Sequence, residues 1–279
     1  MFTDYYGLSF NPFDKQCMKE RDAFRSQDHR QMQSRLDYLK TVRGIGVFTA
    51  RPGMGKTYAL RCFMNGLNPN QYQTAYINLS TISVTEFYRQ FCDLLGLEPS
   101  GNKTQMFKAI QERVYYLYKE KKQPLILAID EAQYLNYNIL RDLKMLMNYS
   151  YDSLNCFSLV LVGEPYLNHI LEKQVHEALR QRITVHYNYE GLSDQEVPDY
   201  IQHKLELSEI NSKNYDIILG KVKSTPITPV TNSSMSEYPD NAYIIKTEIK
   251  QQQKHCNRKI MMRSDIKLPQ PFASWSNSL

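Results

Sequence analysis

The sequence predicts an α/β fold, a parallel sheet flanked by helices. Three observations carry this. Short apolar runs recur along the first 208 residues, helical periodicity fills the stretches between them, and one run stops at two acids as a buried parallel strand does. Taken in order, Gly44–Ala50 (GIGVFTA) reads as a strand ending in a glycine-bearing loop, and Lys56–Asn65 as the helix after it. Thr74–Leu79 is a second strand. Ser83 and Glu86 have the spacing of a capping box and open a helix through Leu95. Lys103–Lys121 is a longer amphipathic helix, followed by the apolar run Pro124–Asp130 (PLILAID). A helix across Asn138–Asn148 precedes another apolar run, Phe157–Gly163 (FSLVLVG). The segment Ala178–Ile183 ends a helix and enters a strand. Ser193 and Glu196 repeat the capping-box spacing ahead of a helix to about Leu207.

Composition bounds the class. In 279 residues, 42% hydrophobic, 12% aromatic and 23% charged content exclude disorder throughout. No run approaches the ~20 apolar residues that cross a bilayer, and Met1–Tyr6 lacks the basic-then-apolar pattern of a secretory signal. Neither points to a membrane. Cys17, Cys62, Cys92, Cys156 and Cys256 form no CxxC pair, which reads as reduced thiols in a cytoplasmic protein. The six histidines show no ligand spacing, and no Ser/His/Asp set or thiol nucleophile stands out. The net charge of +5 is uneven: residues 1–210 carry 24 Lys and Arg against 24 Asp and Glu, and residues 211–279 carry 10 against 5. The body therefore has no global basic character. Apolar periodicity stops near Asn211, and residues 224–240 are rich in Pro, Ser and Thr. The chain is expected to divide into a core over 1–208 and a poorly ordered basic tail over 209–279, with at most a marginal helix near Ala242–Lys254.

The most informative segment is Ala50-Arg51-Pro52-Gly53-Met54-Gly55-Lys56-Thr57, with Tyr58 next. It lies between a strand and a helix, as a P-loop must. Gly53 and Gly55 let the backbone curl so that successive N–H groups point at phosphate oxygens, and the helix N-terminus adds partial positive charge. Lys56 would reach the β- and γ-phosphates and the Thr57 hydroxyl would ligate Mg²⁺. Ala50 departs from the pattern, which asks for Gly there. Leu125–Glu131 has the form of a Walker B strand. Asp130 would hold Mg²⁺ through its water shell, and Glu131 would orient and polarise the attacking water. Together the motifs point to a nucleotide site. On the next strand end, Glu164 is either a polar sensor near the γ-phosphate or a loop residue capping the helix after Pro165. Arg180 and Arg182 either reach a neighbouring subunit's nucleotide as a finger or form salt bridges at a helix end. Met145, Met147 and Tyr149–Tyr151 suit a partner surface or ordinary packing.

The order Tyr5-Tyr6-Gly7-Leu8, Asn11-Pro12-Phe13, P-loop, Asp130-Glu131-Ala132-Gln133, Val162-Gly163-Glu164-Pro165, Gln181-Arg182-Ile183 resembles the ExeA-like AAA+ ATPases. That group includes secretion-pathway protein A and the ATPases encoded beside DDE transposases, related to TniB, TnsC and MuB. The resemblance covers about residues 1–208. It implies a RecA-like sheet, ATP with Mg²⁺, nucleotide sites at the interfaces of a homo-oligomer, and an N-terminal segment (1–40) packing on the nucleotide site. Phe13 would then line the adenine pocket or simply pack in the core. The family's helical lid, with its Gly-x-Pro-Arg sensor, has no counterpart after Asn211, which implies impaired hydrolysis and either a truncation or a shifted reading frame. Three functions follow. The chain is expected to be a transposition ATPase that binds double-stranded DNA and recruits a DDE-type transposase. The alternatives are an assembly ATPase of a secretion or envelope system, and an ATP-binding protein without turnover.

Overall fold

The element order is α1 (Gln27–Val42), β1 (Ile45–Ala50), α2 (Lys56–Gly66), β2 (Gln73–Asn78), α3 (Val84–Leu94), α4 (Lys103–Lys119), β3 (Leu125–Asp130), α5 (Tyr137–Leu146), β4 (Phe157–Gly163), α6 (Tyr166–Leu171), α7 (Glu177–Arg180), β5 (Ile183–Tyr189) and α8 (Glu196–Leu207). The computed structural model describes residues 9–11, 22–78, 83–99, 101–151 and 154–208. The tail over 209–279 and Phe13 lie outside the described residues. Two units result, one spanning Ala23–Leu192 and the other formed by residues up to Asp22 with those from Ser193 onward.

The first unit holds a five-stranded parallel sheet in the order β2-β3-β4-β1-β5. The expected parallel sheet flanked by helices is therefore present. Burial follows position: β1, β3 and β4 are buried along their whole length, whereas the edge strands β2 and β5 alternate. Only a strand covered on both faces tolerates an unbroken apolar run. In β4, Phe157, Leu159 and Leu161 face a core built with Phe87, Phe91, Ile110 and Leu143 of α3, α4 and α5. Val160 and Val162 face the opposite side, against Met32, Leu36, Leu60 and Phe63 of α1 and α2. Ser158 shares that side, and its hydroxyl donates to the Leu39 carbonyl in the last turn of α1.

The caps hold in different degrees. The Ser83 side chain accepts the Glu86 N–H at the head of α3. A complete reciprocal box sits at Asn102 and Gln105, heading α4. In the second unit α8 starts at Glu196, not Ser193. The Glu196 carboxylate takes both the N–H and the hydroxyl of Ser193, so the serine oxygen donates instead of capping. That unit also joins the His203 ring to the Asp22 carbonyl, and the Ser9 hydroxyl to the Ser208 carbonyl.

Helix α1 is capped by Ser26 and carries Asp28 in its first turn. The buried Asp28 carboxylate accepts the N–H groups of Glu190 (2.5 Å) and Gly191 (2.6 Å) and the Tyr187 hydroxyl. One side chain thus holds the chain where it leaves β5. Asp28→Ala removes the acceptor shared by two backbone N–H groups and a phenol, and is expected to cost about 3 kcal/mol. Chemical denaturation checks this; a loss below about 1 kcal/mol would mean that water replaces the carboxylate.

Candidate nucleotide site

The site forms where β1 and β3 end, on either side of β4. The loop leaving β1 turns through Gly53 (φ 81°) and Gly55 (φ 95°) into α2. Both lie in the left-handed region, which glycine enters without strain. Gly55 is the N-cap of α2 and has no side chain with which to cap it, which suits a helix end that meets an anion. The β1 end is anchored by polar contacts: the Thr49 hydroxyl donates to Asn188 Oδ1 (2.5 Å), and Asn168 Nδ2 donates to Thr49 Oγ1 (3.3 Å).

Four expected residues are brought together. Lys56 is 7% exposed, and its Nζ lies 3.3 Å from Glu131 Oε1. Thr57 Oγ1 donates to Asp130 Oδ2 over 2.8 Å. Asp130, 2% exposed, also accepts the Glu131 N–H on Oδ1 (2.9 Å). A hydroxyl and a carboxylate in contact, both oxygen donors, suit a hard divalent cation. Glu131 itself sits in the left-handed region (φ 52°), a conformation that costs a non-glycine residue of the order of 1 kcal/mol or more.

The other expected residues are placed as follows. Pro52 is exposed on the loop, and Tyr58 lies in the first turn of α2 with the Arg61 guanidinium 5.3 Å from its ring. Met54 turns its side chain into the core, so the loop keeps only its backbone. Glu164 stands just past β4, half-buried, its N–H donating to Gln133 Oε1 over 3.0 Å. Arg180 is exposed, whereas Arg182 is half-buried and reaches the Lys144 carbonyl at the end of α5 (3.5 Å). Both precede β5, which pairs with β1 from Ile45↔Ile183 to Ala50↔Tyr189. At ~3.3 Å per residue they lie about 20 Å along the strands from their own P-loop.

Two residues join the site that sequence reasoning assigned no role. The Tyr76 hydroxyl donates to Asp130 Oδ2 over 3.1 Å; burial, and then the adjacent carboxylate, push its phenol well above the usual range. Only the β2–β3 register, Tyr76↔Ala128, reveals that alignment. Gln133 Nε2 donates to Glu131 Oε2 over 2.7 Å. It stands inside the Asp-Glu-Ala-Gln run, so a signal for it existed.

Residues 39–171 match the family described as AAA domain. General secretion pathway protein A of Aeromonas hydrophila is 28% identical over 211 residues, which are 75% of this chain and 38% of that protein. The chain thus spans well under half the length of that relative. Among solved structures, Cdc6p from Pyrobaculum aerophilum aligns with a TM-score of 0.59 at 17% identity, covering 88% of this chain and 70% of that one. The Aeropyrum pernix ORC2 protein, in ADPNP–ADP complexes, gives 0.56 at 15% identity, covering 73% of this chain and 57% of its own. The fold is a P-loop fold of the AAA type. In sequence, the chain is similar to secretion pathway protein A over 211 residues.

Proposed function

We propose that the chain binds ATP with Mg²⁺ at the P-loop, hydrolyses it, and works as an ATP-dependent homo-oligomer that assembles a larger complex. The observation that carries this is the convergence of Lys56, Thr57, Asp130 and Glu131 at the ends of β1 and β3. In this reading the N–H groups from Gly53 to Tyr58, on the loop that Pro52 opens and that bends at Gly53 and Gly55, take the phosphate oxygens. Lys56 balances the phosphate charge. Thr57 and Asp130 hold Mg²⁺, which when bound draws charge from the phosphoryl oxygens. Glu131 orients the attacking water, and Glu164 senses the γ-phosphate from the end of β4.

Arg180 is the better finger, being exposed while Arg182 caps α5. From the end of the sheet opposite its own P-loop it acts on another copy. Arg180→Ala is expected to lower turnover about 10³-fold. Mixing it with Lys56→Ala is expected to restore hydrolysis, since the second variant lends its arginine to the intact P-loop of the first. Phosphate release from the mixture checks this, and no gain over the separate variants removes Arg180 from that role.

The assembly role is favoured by the sequence similarity to secretion pathway protein A. Among the described residues no helix is long and apolar enough to cross a membrane. ATP supply places the proposed activity in the cytoplasm. Co-purification with envelope components in the presence of ATP would support this setting. ATP-dependent retention on double-stranded DNA, with recruitment of a DDE-type transposase, would assign the chain to transposition instead.

A further inference from the structure

Gln133 is 7% exposed and uses both ends of its amide. Nε2 donates to Glu131 Oε2 (2.7 Å), and Oε1 accepts the N–H of Glu164 (3.0 Å). The chemistry of the neighbours settles the orientation: a carboxylate only accepts and a backbone N–H only donates, so a flipped amide would oppose like groups at both ends. Glutamine offers a donor and an acceptor at this reach. The wall behind it is Gly163. A Cβ there would lie 2.6 Å from Gln133 Oε1, so the end of β4 is shaped to admit the amide.

We infer that Gln133 is the positioning residue for Glu131, tying its carboxylate to the backbone at the end of β4. Lys56 holds the other carboxylate oxygen, Oε1. When Lys56 turns to phosphate, Gln133 still holds Oε2 and fixes where Glu131 points. The inference rests on the reading that Glu131 orients the attacking water.

The test compares Gln133→Met, which keeps the shape and loses both hydrogen bonds, with Gly163→Ala, which displaces the amide without touching Glu131. In the full chain, Gln133→Met is expected to slow single-turnover ATP hydrolysis about 10- to 100-fold, and Gly163→Ala by less. Affinity for ATP should stay within about twofold, because a positioning role does not touch phosphate binding. In a Glu131→Gln background, Gln133→Met should slow hydrolysis no further. The Glu164 amide should lose its protection from hydrogen exchange in both single variants. Unchanged hydrolysis in Glu131→Gln overturns the reading of Glu131. Slowed hydrolysis there, with a wild-type rate or an equal loss of ATP affinity in Gln133→Met, overturns this inference alone. So does a further loss in the double variant. A Glu164 amide that stays protected in Gln133→Met overturns the grip itself, whatever the turnover.

Discussion

Lys56→Ala is expected to remove ATP binding while the fold survives. The lysine leaves the P-loop with its stem buried and its ammonium at the site, where its contact is Glu131 Oε1 at 3.3 Å. Glu131 keeps 31% of its side chain exposed, so losing the lysine leaves a carboxylate that water and Gln133 can still serve. The cost to stability is therefore small. The cost to binding is large. A charge-assisted hydrogen bond to phosphate is worth about 1.5–3 kcal/mol, and the compensation of phosphate charge in a closed loop adds to it, so affinity should fall about 100-fold or more. Titration with a fluorescent ATP analogue, beside a thermal melt, measures both. Unchanged affinity would take Lys56 out of the site.

Glu131→Gln is expected to keep ATP bound and to slow hydrolysis about 10²- to 10⁴-fold. The amide keeps the shape of the acid but loses the charge that polarises water. Lys56 also loses its ion-pair partner and is freer to meet phosphate, so affinity should hold or rise. A variant that turns over at the wild-type rate would show that another group orients the water.

The central strands were legible because a strand covered on both faces must be apolar throughout. Leu125–Asp130 and Phe157–Gly163 announce themselves in that way. Strand β5 was seen only at its start. As an edge strand it alternates, and His186 and Asn188 break its apolar character. Helix α1 does not show in the sequence. Its 16 residues are largely polar, and only Met32, Leu36, Leu39 and half-buried Val42 supply an apolar face toward the sheet, too thin a stripe to stand out. The phosphate loop and the acidic pair were legible because their chemistry is local: adjacent residues in a set backbone path. Tyr76 was not, since its role arises from strand register, and Gln133 shows in sequence only as part of the Asp-Glu-Ala-Gln run, its role coming from a side chain that reaches across to the next strand. Met54 shows the converse, for a loop position in sequence became a core side chain in space.

ATP is expected to be hydrolysed at this one site, between copies of the chain. Phosphate release from ATP with Mg²⁺, followed over a range of concentrations of the full chain, tests it most directly. The expected result is turnover per chain that rises with concentration, as exposed Arg180 of one copy meets the nucleotide of another, and that vanishes in Glu131→Gln. No release above buffer at any concentration, or equal release from Glu131→Gln, would contradict it.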